Sequence, residues 1–577
     1  MKKTIICIIC VVTILSLILL CSCTDTISST LSNNSSNSSS NSSNSNSSTN
    51  GTTTSTDDNT TPADAVTDSS VTADEVSGDF SITTVDGTYT QEGSIYTITA
   101  AGTYSLEGAL EGQIVVDAGD DDVVVIELNG TTIKYSSDSP IKILNADSVE
   151  ISAKADTENV IKDLRSHKTT DTDTQGEGAI YAKTDLKIKG TGTLVITANY
   201  NNGIHTTKDL TIQKLSLKVT AYNNALKGND SIKIKSGTIV AISTNGDGIK
   251  TENTDANKKG VTRGDITFGG GSIAIYAAGD GVQAAHNFTM NSDDGETSAN
   301  VTIYTGSYSG YTASSASTTS YKGVKVQNIL SIESGTITVY SYDDGLHADY
   351  GTTFEDGTSG VGTITISGGT VTCAVYAPAN KTATGRQGPG GWSNQQTVVG
   401  ADGIHADYTL NITGGTITID SSYEGLEATI INVSGGYTVV SATDDGINAA
   451  KKVNTTPQIN VSGGYLEVNV SPSGDTDGID SNGTYTQTGG VVIAKGPNST
   501  NMAALDTDGT AKITGGTIII LGALGERGLT TSGVSSKSLS LHSSGSHSVT
   551  IDGTTYTFTN SYSYGKTICY SSVSVSA

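Results

Sequence analysis

Asp402-Gly403-Ile404-His405-Ala406-Asp407-Tyr408-Thr409-Leu410-Asn411-Ile412-Thr413-Gly414-Gly415-Thr416-Ile417-Thr418-Ile419 carries one full repeat of this chain. An acidic residue and a glycine open it, and two alternating runs follow on either side of Gly414-Gly415. Ile404, Ala406, Leu410, Ile412, Ile417 and Ile419 share one face, while His405, Asp407, Asn411, Thr413, Thr416 and Thr418 share the other. A period of two residues is that of a β-strand with one buried side.

The opening recurs as Asp344-Gly345-Leu346-His347-Ala348-Asp349. Its glycine slot falls at Gly203, Ala225, Gly248, Gly281, Gly323, Gly345, Gly403, Gly425, Gly446 and Gly478, and five of the nine spacings are 21 to 23 residues. That length holds three short strands with their turns, and the longer spacings mark inserted loops. A fixed period of this size means stacked coils. The fold predicted is all-β: a right-handed parallel β-helix over residues 76–535. At the usual strand spacing, about twelve coils make a rod about 58 Å long. Residues 536–577, with Ser548-Val549-Thr550-Ile551 and Thr555-Tyr556-Thr557-Phe558, are expected to form a β-rich cap, because a solenoid needs its ends covered.

The 577 residues include 67 Gly and only 7 Pro, and Ser, Thr and Asn are abundant, which suits short strands and tight turns. The formal net charge is -26 and the sequence pI about 4.5. Such acidity argues against nucleic acid as a partner and fits solubility or cation binding. At the N-terminus, Lys2 and Lys3 precede an apolar run from Ile5 to Leu20, then Leu20-Cys21-Ser22-Cys23. This reads as an export signal over residues 1–23, and it resembles a bacterial lipobox with Cys23 as the lipidated residue. Residues 24–75 are rich in Ser, Asn and Thr and read as a disordered tether. About 38 residues of Gly/Ser-like coil would reach about 35 Å. The chain is thus expected at the extracellular face of the bacterial membrane, lipid-anchored and monomeric. Cys373 and Cys569 are too few for a disulfide framework, and Cys373 alternates in phase with buried apolar residues.

From Ser81 to about Ser535 the chain resembles a family of bacterial, clostridial-type β-helix carbohydrate-binding proteins. The residues that carry the likeness are Gly102-Thr103-Tyr104-Ser105-Leu106, Gly112-Gln113-Ile114-Val115-Val116-Asp117-Ala118, Leu128-Asn129-Gly130, Ala179-Ile180-Tyr181-Ala182, Leu186 to Gly192, and Asn201-Asn202-Gly203-Ile204-His205. The resemblance implies calcium-assisted, non-catalytic binding of plant cell-wall polysaccharide, pectate-like or cellulose-like.

The residues add to that expectation. The slot before the glycine holds Asp247, Asp280, Asp344, Asp402, Glu424, Asp445 and Asp477, with Asn202, Asn224 and Lys322 in other rows. Stacked rows would set carboxylates near 5 Å apart, where each pair repels by about 3 kcal/mol at an effective dielectric of 20. Calcium, which takes six to eight oxygen ligands, would turn that repulsion into binding. Asp and Asn also favour such turns simply by bonding to nearby backbone amides. The outward position two residues after the glycine holds His205, Lys227, Lys250, Gln283, Lys325, His347, His405, Glu427, Asn448 and Asp480, and the next outward position adds Glu252, Gln327, Asp349, Asp407 and Asn482. This strip is basic or histidine-bearing in its N-terminal half and acidic in its C-terminal half, so an anionic sugar chain could meet lysine at one end and calcium at the other. The alternative reading is a solvated outer face.

Two insertions carry further candidates: residues 291–321 with Tyr304, Tyr308, Tyr311 and Tyr321, and residues 376–400 with Arg386, Gln387, Trp392 and Gln395. Aromatic rings stack on the C–H faces of sugars, and Arg and Gln bond hydroxyls or carboxylates. The outward pairs Thr336/Thr338, Thr370/Thr372 and Thr416/Thr418 are good strand residues, in a series that stops at Tyr437, Glu467 and Val491. A calcium-dependent polysaccharide lyase is the main rival, with Lys227, Lys250 or Lys325 as base near Asp247 and Asp280. A base needs one cation in a defined cleft, however, and these lysines recur as a ladder. A surface adhesin or spacer is a third reading.

Overall fold

The computed structural model describes residues 70–169, 176–292, 297–309, 320–376, 400–474 and 476–577. All of them lie in the unit Thr60–Ala577, and the unit Met1–Asn59 contains none. The expected signal, the lipobox cysteine Cys23, most of the tether, and the loop residues Arg386 and Trp392 therefore fall outside the described residues.

Among the described residues the chain is built of strands, with a single short 3₁₀ turn at Gly306–Ser309 and no helix long and apolar enough to cross a membrane. Strands pair in parallel with the third strand ahead, not with the next. Asn202–Thr206 pairs with Leu226–Gly228, Asp209–Gln213 with Ser231–Ile234, and Ser216–Ala221 with Thr238–Ser243. Three parallel ladders result, an arrangement consistent with a β-solenoid. The parallel pairing begins ahead of the sequence repeat, with Ile95–Ile98 on Gln113–Asp117 and that strand on Ile141–Asn145. It also includes Leu505–Thr507 on Ile479–Ser481, a row the glycine spacing did not reveal because Ala504 stands in the slot.

The alternation seen in sequence is the alternation of burial. Ile204, Leu226, Ile249, Val282, Val324, Leu346, Ile404, Leu426, Ile447 and Ile479 are register partners in turn, and all are fully buried. Each such side chain contributes about 2 kcal/mol by leaving water. Cys373 sits in the same core. The glycine slot exists because successive rows touch there. A Cβ on Gly345 would lie 2.5 Å from the Gly403 carbonyl oxygen and 2.8 Å from Cys373 Sγ, and one on Gly403 would lie 2.6 Å from Ile419 Cγ2.

Both terminal segments lie on outward faces. Val71 is buried against Val240, Ile242 and Tyr276, the Asp74 amide donates to Glu158 Oε2 at 2.8 Å, and Glu75 pairs with Lys134 and Lys162. The tether boundary expected at residue 75 therefore moves back to residue 70 at least, because Val71 finds an apolar patch to cover. At the other end, Thr567–Ser571 pairs antiparallel with Thr517–Leu521, which occupies a strand edge that would otherwise be open. The hairpin Gly545–Ile551/Thr554–Asn560 supplies Val549, Ile551 and Phe558 to a second apolar cluster with Tyr465, Val491, Ile493, Ile519 and Leu521. These last five are outward positions, so the C-terminal segment packs on a flank of the ladders. Here the outward threonine series gives way to apolar residues because they are covered.

Gly403→Ala is expected to lower stability by about 1–3 kcal/mol through overpacking between rows, read as a lower urea midpoint with an unchanged m-value; an unchanged midpoint would refute the close approach.

Candidate functional site

The outward residues of the first ladder form one continuous column. Lys142, Tyr181, His205, Lys227, Lys250, Gln283, Lys325, His347, His405, Glu427, Asn448, Asp480 and Asp506 are register partners in succession. Beside it runs the slot before the glycine, and there the side chains have a second task. The side-chain oxygen of one row accepts the backbone N–H of the same slot in the next row: Asn202 from Asn224 at 3.2 Å, Asn224 from Asp247 at 3.0 Å, Asp247 from Asp280 at 2.9 Å, Asp280 from Lys322 at 2.8 Å, Asp344 from Asp402 at 2.8 Å, and Asp445 from Asp477 at 2.7 Å. Asp477 in turn accepts from the Ala503 amide. Asn and Asp recur in this slot because they bond forward to the next row.

The bond uses one oxygen of each carboxylate, and in several rows the other oxygen faces the outward column. Asp247 Oδ2 is 2.9 Å from Lys250 Nζ, Asp344 Oδ2 is 2.8 Å from His347 Nδ1 and 2.9 Å from Lys322 Nζ, and Asp402 Oδ2 is 2.8 Å from His405 Nδ1. The far nitrogens meet the next outward residues, His347 Nε2 with Asp349 Oδ1 at 2.8 Å and His405 Nε2 with Asp407 Oδ1 at 3.2 Å. His405 Nδ1 also lies 2.8 Å from Glu427 Oε2, whose other oxygen is 2.7 Å from Lys452 Nζ. The two imidazole rings stack at 4.7 Å. A ring with carboxylates at both nitrogens donates from both and is held as an imidazolium.

The charges follow from these contacts. Burial would lower the His347 and His405 pKa values, but the carboxylates outweigh it, and His405 in particular is held well above its ordinary value. Burial would raise Asp344, yet His347 and Lys322 hold it far below the usual carboxylate range. Asp402 moves the opposite way, to about 8, because burial and the facing Asp344 and Glu427 outweigh the help of His405. Glu427 is pulled down against burial to about 2 by His405 and Lys452. Glu424 is pushed up to about 10 by burial, then by Asp402, Glu427 and Asp445, and Asp445 to about 8 by burial and Asp444. Asp280 rises to about 6 through burial and Asp247. His205 has no such clamp: burial, then Lys227, depress it to about 4, and it bonds Asn229 at 3.1 Å as a neutral ring.

All seven expected metal residues thus occupy the same slot in different rows, but Asp247, Asp344 and Asp402 are each answered by a cation of this chain. The three lysines of the strip are also matched, Lys227 with Glu252 at 2.7 Å, Lys250 with Asp247, and Lys325 with Asp349 at 3.6 Å. Among the described residues, three groups bring ligand atoms within 4.8 Å of one another: Asp344, His347 and His405; Asp402, His405 and Glu427; and Glu424, Asp444 and Asp445. The first two include imidazoles, which suit transition metals more than calcium. The third is all-carboxylate, the donor type a hard cation takes, and within it burial and the neighbouring acids raise the Glu424 and Asp445 pKa values.

Aromatic residues border this column at the corner that ends the third strand of a row. Tyr342 and Tyr376 stack at 4.3 Å and remain 36% and 37% exposed, two residues from Asp344 in the case of Tyr342. The guanidinium of Arg165 lies 3.9 Å over the Tyr200 ring, and Tyr222 stacks on His167 at 4.9 Å. Sequence reasoning placed its aromatics in the inserted loops and missed this corner; the signal available was the recurrence of Tyr directly after a third strand. An open polar cleft of about 400 Å³ adjoins it, lined by Lys168, Glu177, Asn201, Asn202, Tyr222, Asn223 and Lys227 among others.

Residues 92–374 match the model of a family described as carbohydrate-binding domain-containing protein. A curated protein with that description from Acetivibrio thermocellus is 37% identical over 139 residues, 24% of this chain, and the chain spans about half (48%) of that relative's length. A solved structure, described as the polysaccharide lyase-like protein from C. thermocellum in a gadolinium derivative, is 33% identical with a TM-score of 0.37, covering 43% of this chain and 90% of that one.

The clamp has a pH signature. His347 and His405 have folded pKa values above an unfolded value of about 6.5, so their stabilisation is complete below that pH and is lost as pH rises through the folded values. Asp402, raised to about 8, acts with the same sign between about pH 4 and 8. Stability is therefore expected to fall from pH 6.5 upward, and this slope to weaken in a His347→Gln/His405→Gln double variant. Denaturant titrations at several pH values, with the imidazole resonances followed by NMR, check both statements.

Proposed function

We propose that this chain is a non-catalytic binding protein for plant cell-wall polysaccharide, of the pectate-like or cellulose-like class, which lies along the outward column of the first ladder. The observation that carries the reading is that column itself, an unbroken line of polar and charged side chains in successive rows, within a chain whose residues 92–374 match a carbohydrate-binding family. Rows repeat about every 4.8 Å, so a linear glycan can make the same kind of contact from row to row. Tyr342 and Tyr376 offer ring surface to the C–H faces of sugars at its border.

Calcium, in this proposal, is held by Glu424, Asp444 and Asp445, whose oxygens lie within 4.8 Å of one another, and would bridge to uronate groups. Lysines at the N-terminal end of the column meet the anionic chain directly. Binding is favoured over a lyase because Lys227, Lys250 and Lys325 each already face a carboxylate, and Asp247 keeps the Lys250 amine protonated against burial. A protonated amine is a poor general base. The architecture proposed is a right-handed parallel β-helix of about twelve coils with a C-terminal cap. The mature chain would be monomeric and lipid-anchored through Cys23 at the extracellular face of the bacterial membrane.

Co-sedimentation with insoluble pectate, cellulose and xylan, with and without a calcium chelator, tests the proposal. Chelator-sensitive retention on pectate is expected. No retention on any of the three would leave an adhesin or spacer, and a rise in absorbance from unsaturated uronides would establish a lyase. Tyr342→Ala is expected to weaken retention up to about tenfold, the equivalent of about 1.4 kcal/mol of lost stacking. A Glu424→Gln/Asp445→Asn double variant is expected to keep the fold while calorimetry shows reduced calcium uptake.

A further inference from the structure

Away from the outward column, under the C-terminal hairpin, a lysine is fully buried. Lys495 has no solvent exposure. Its Nζ donates to Glu467 Oε1 at 2.7 Å, to Asn469 Oδ1 at 2.6 Å and to the Thr559 carbonyl oxygen at 2.8 Å, and it lies 4.9 Å from the centroid of the Phe558 ring. Glu467 is also buried, and its second oxygen accepts from the Tyr465 hydroxyl at 2.8 Å. The strands Tyr465–Asn469 and Val491–Lys495 run parallel with Val468 opposite Ala494, so Asn469 and Lys495 follow as cross-strand neighbours. Asn469 Nδ2 is turned the other way, to the Val440 carbonyl oxygen at 3.1 Å.

An amine in contact with both a carboxamide and a carboxylate, beside the Phe558 ring, makes a reactive set. We propose that Lys495 and Asn469 join in an intramolecular isopeptide bond, with Glu467 as the proton carrier. Glu467 takes one proton from the Lys495 ammonium, and the freed lone pair forms a bond to Asn469 Cγ. The former Nζ passes one hydrogen to Nδ2 as the Cγ–Nδ2 bond breaks, and the ammonia released takes up the proton held by Glu467. The sum is ammonium plus carboxamide giving a secondary amide plus an ammonium ion, with no change of oxidation state.

Three features favour the step. Burial outweighs Glu467 and depresses the Lys495 pKa, which eases formation of the neutral amine. The Asn469 carbonyl oxygen, not its nitrogen, faces the amine, which places Cγ next to Nζ. Asn469 is only half-buried, so ammonia has a way out. Phe558 and the Thr559 carbonyl belong to the C-terminal hairpin, so the reactive set is complete only once that hairpin has docked. The bond would then tie two adjacent rows together covalently.

Peptide mapping of the full chain decides the matter. No Lys or Arg lies between Lys452 and Lys495, and Lys512 is the next cleavage site. A modified lysine resists trypsin, so the expected product is a peptide 453–512, uncut at Lys495 and lighter than its sequence by one ammonia. Recovery of peptide 453–495 at its sequence mass would overturn the proposal. So would an ammonia loss with normal cleavage at Lys495, which signals a succinimide at an asparagine. Glu467→Gln, its fold checked by circular dichroism, is expected to restore cleavage at Lys495; Asn469→Ala serves if that variant does not fold.

Discussion

Everything in this molecule depends on one row lying directly on the next in register. The glycine slot makes that contact possible, since a Cβ on Gly345 or Gly403 would intrude on the neighbouring row. The residue before it makes the contact directional, through a side-chain oxygen that accepts the next row's amide. Inside, one aliphatic stacks on another; outside, each polar residue finds its counterpart in the next row. An ordering that repeats in this way turns a change in one residue type into a column.

Columns of like charge are costly, and the outward face shows three ways of meeting that cost. In the N-terminal half, cations of the chain answer the acids, as Lys250 does Asp247 and Lys322 does Asp344. In the middle, two histidines held between carboxylates add positive charge to that of Lys322 and Lys452. Around Glu424, Asp444 and Asp445 acids stand together, and burial with the neighbouring acids raises the Glu424 and Asp445 pKa values. The same residue pattern thus gives an ion-pair network in some rows and a cluster of carboxylates in others.

The flanks are used unequally. Val71 and its neighbours cover one outer patch, and the C-terminal hairpin covers another, where outward threonines have been replaced by Tyr465, Val491, Ile493 and Ile519. Among the described residues, neither terminal segment supplies such an apolar cover to the polar column of the first ladder. Polar outward residues pair with one another from row to row, and apolar ones mark the faces the chain covers itself.

The amino-acid sequence alone determined the strands, the period and the membership of each column, because alternation and spacing are local properties. Ile404, His405 and Asp407 could be assigned to their faces from their neighbours alone. What only the tertiary structure decided is which partner each side chain meets. That Asp344 is paired with Lys322 while Glu424 faces other acids depends on contacts between rows, which loops of variable length separate. The Tyr342–Tyr376 stack and the Lys495–Glu467–Asn469 set were hidden for the same reason, since burial and proximity across rows are set by stacking and leave no mark on local pattern.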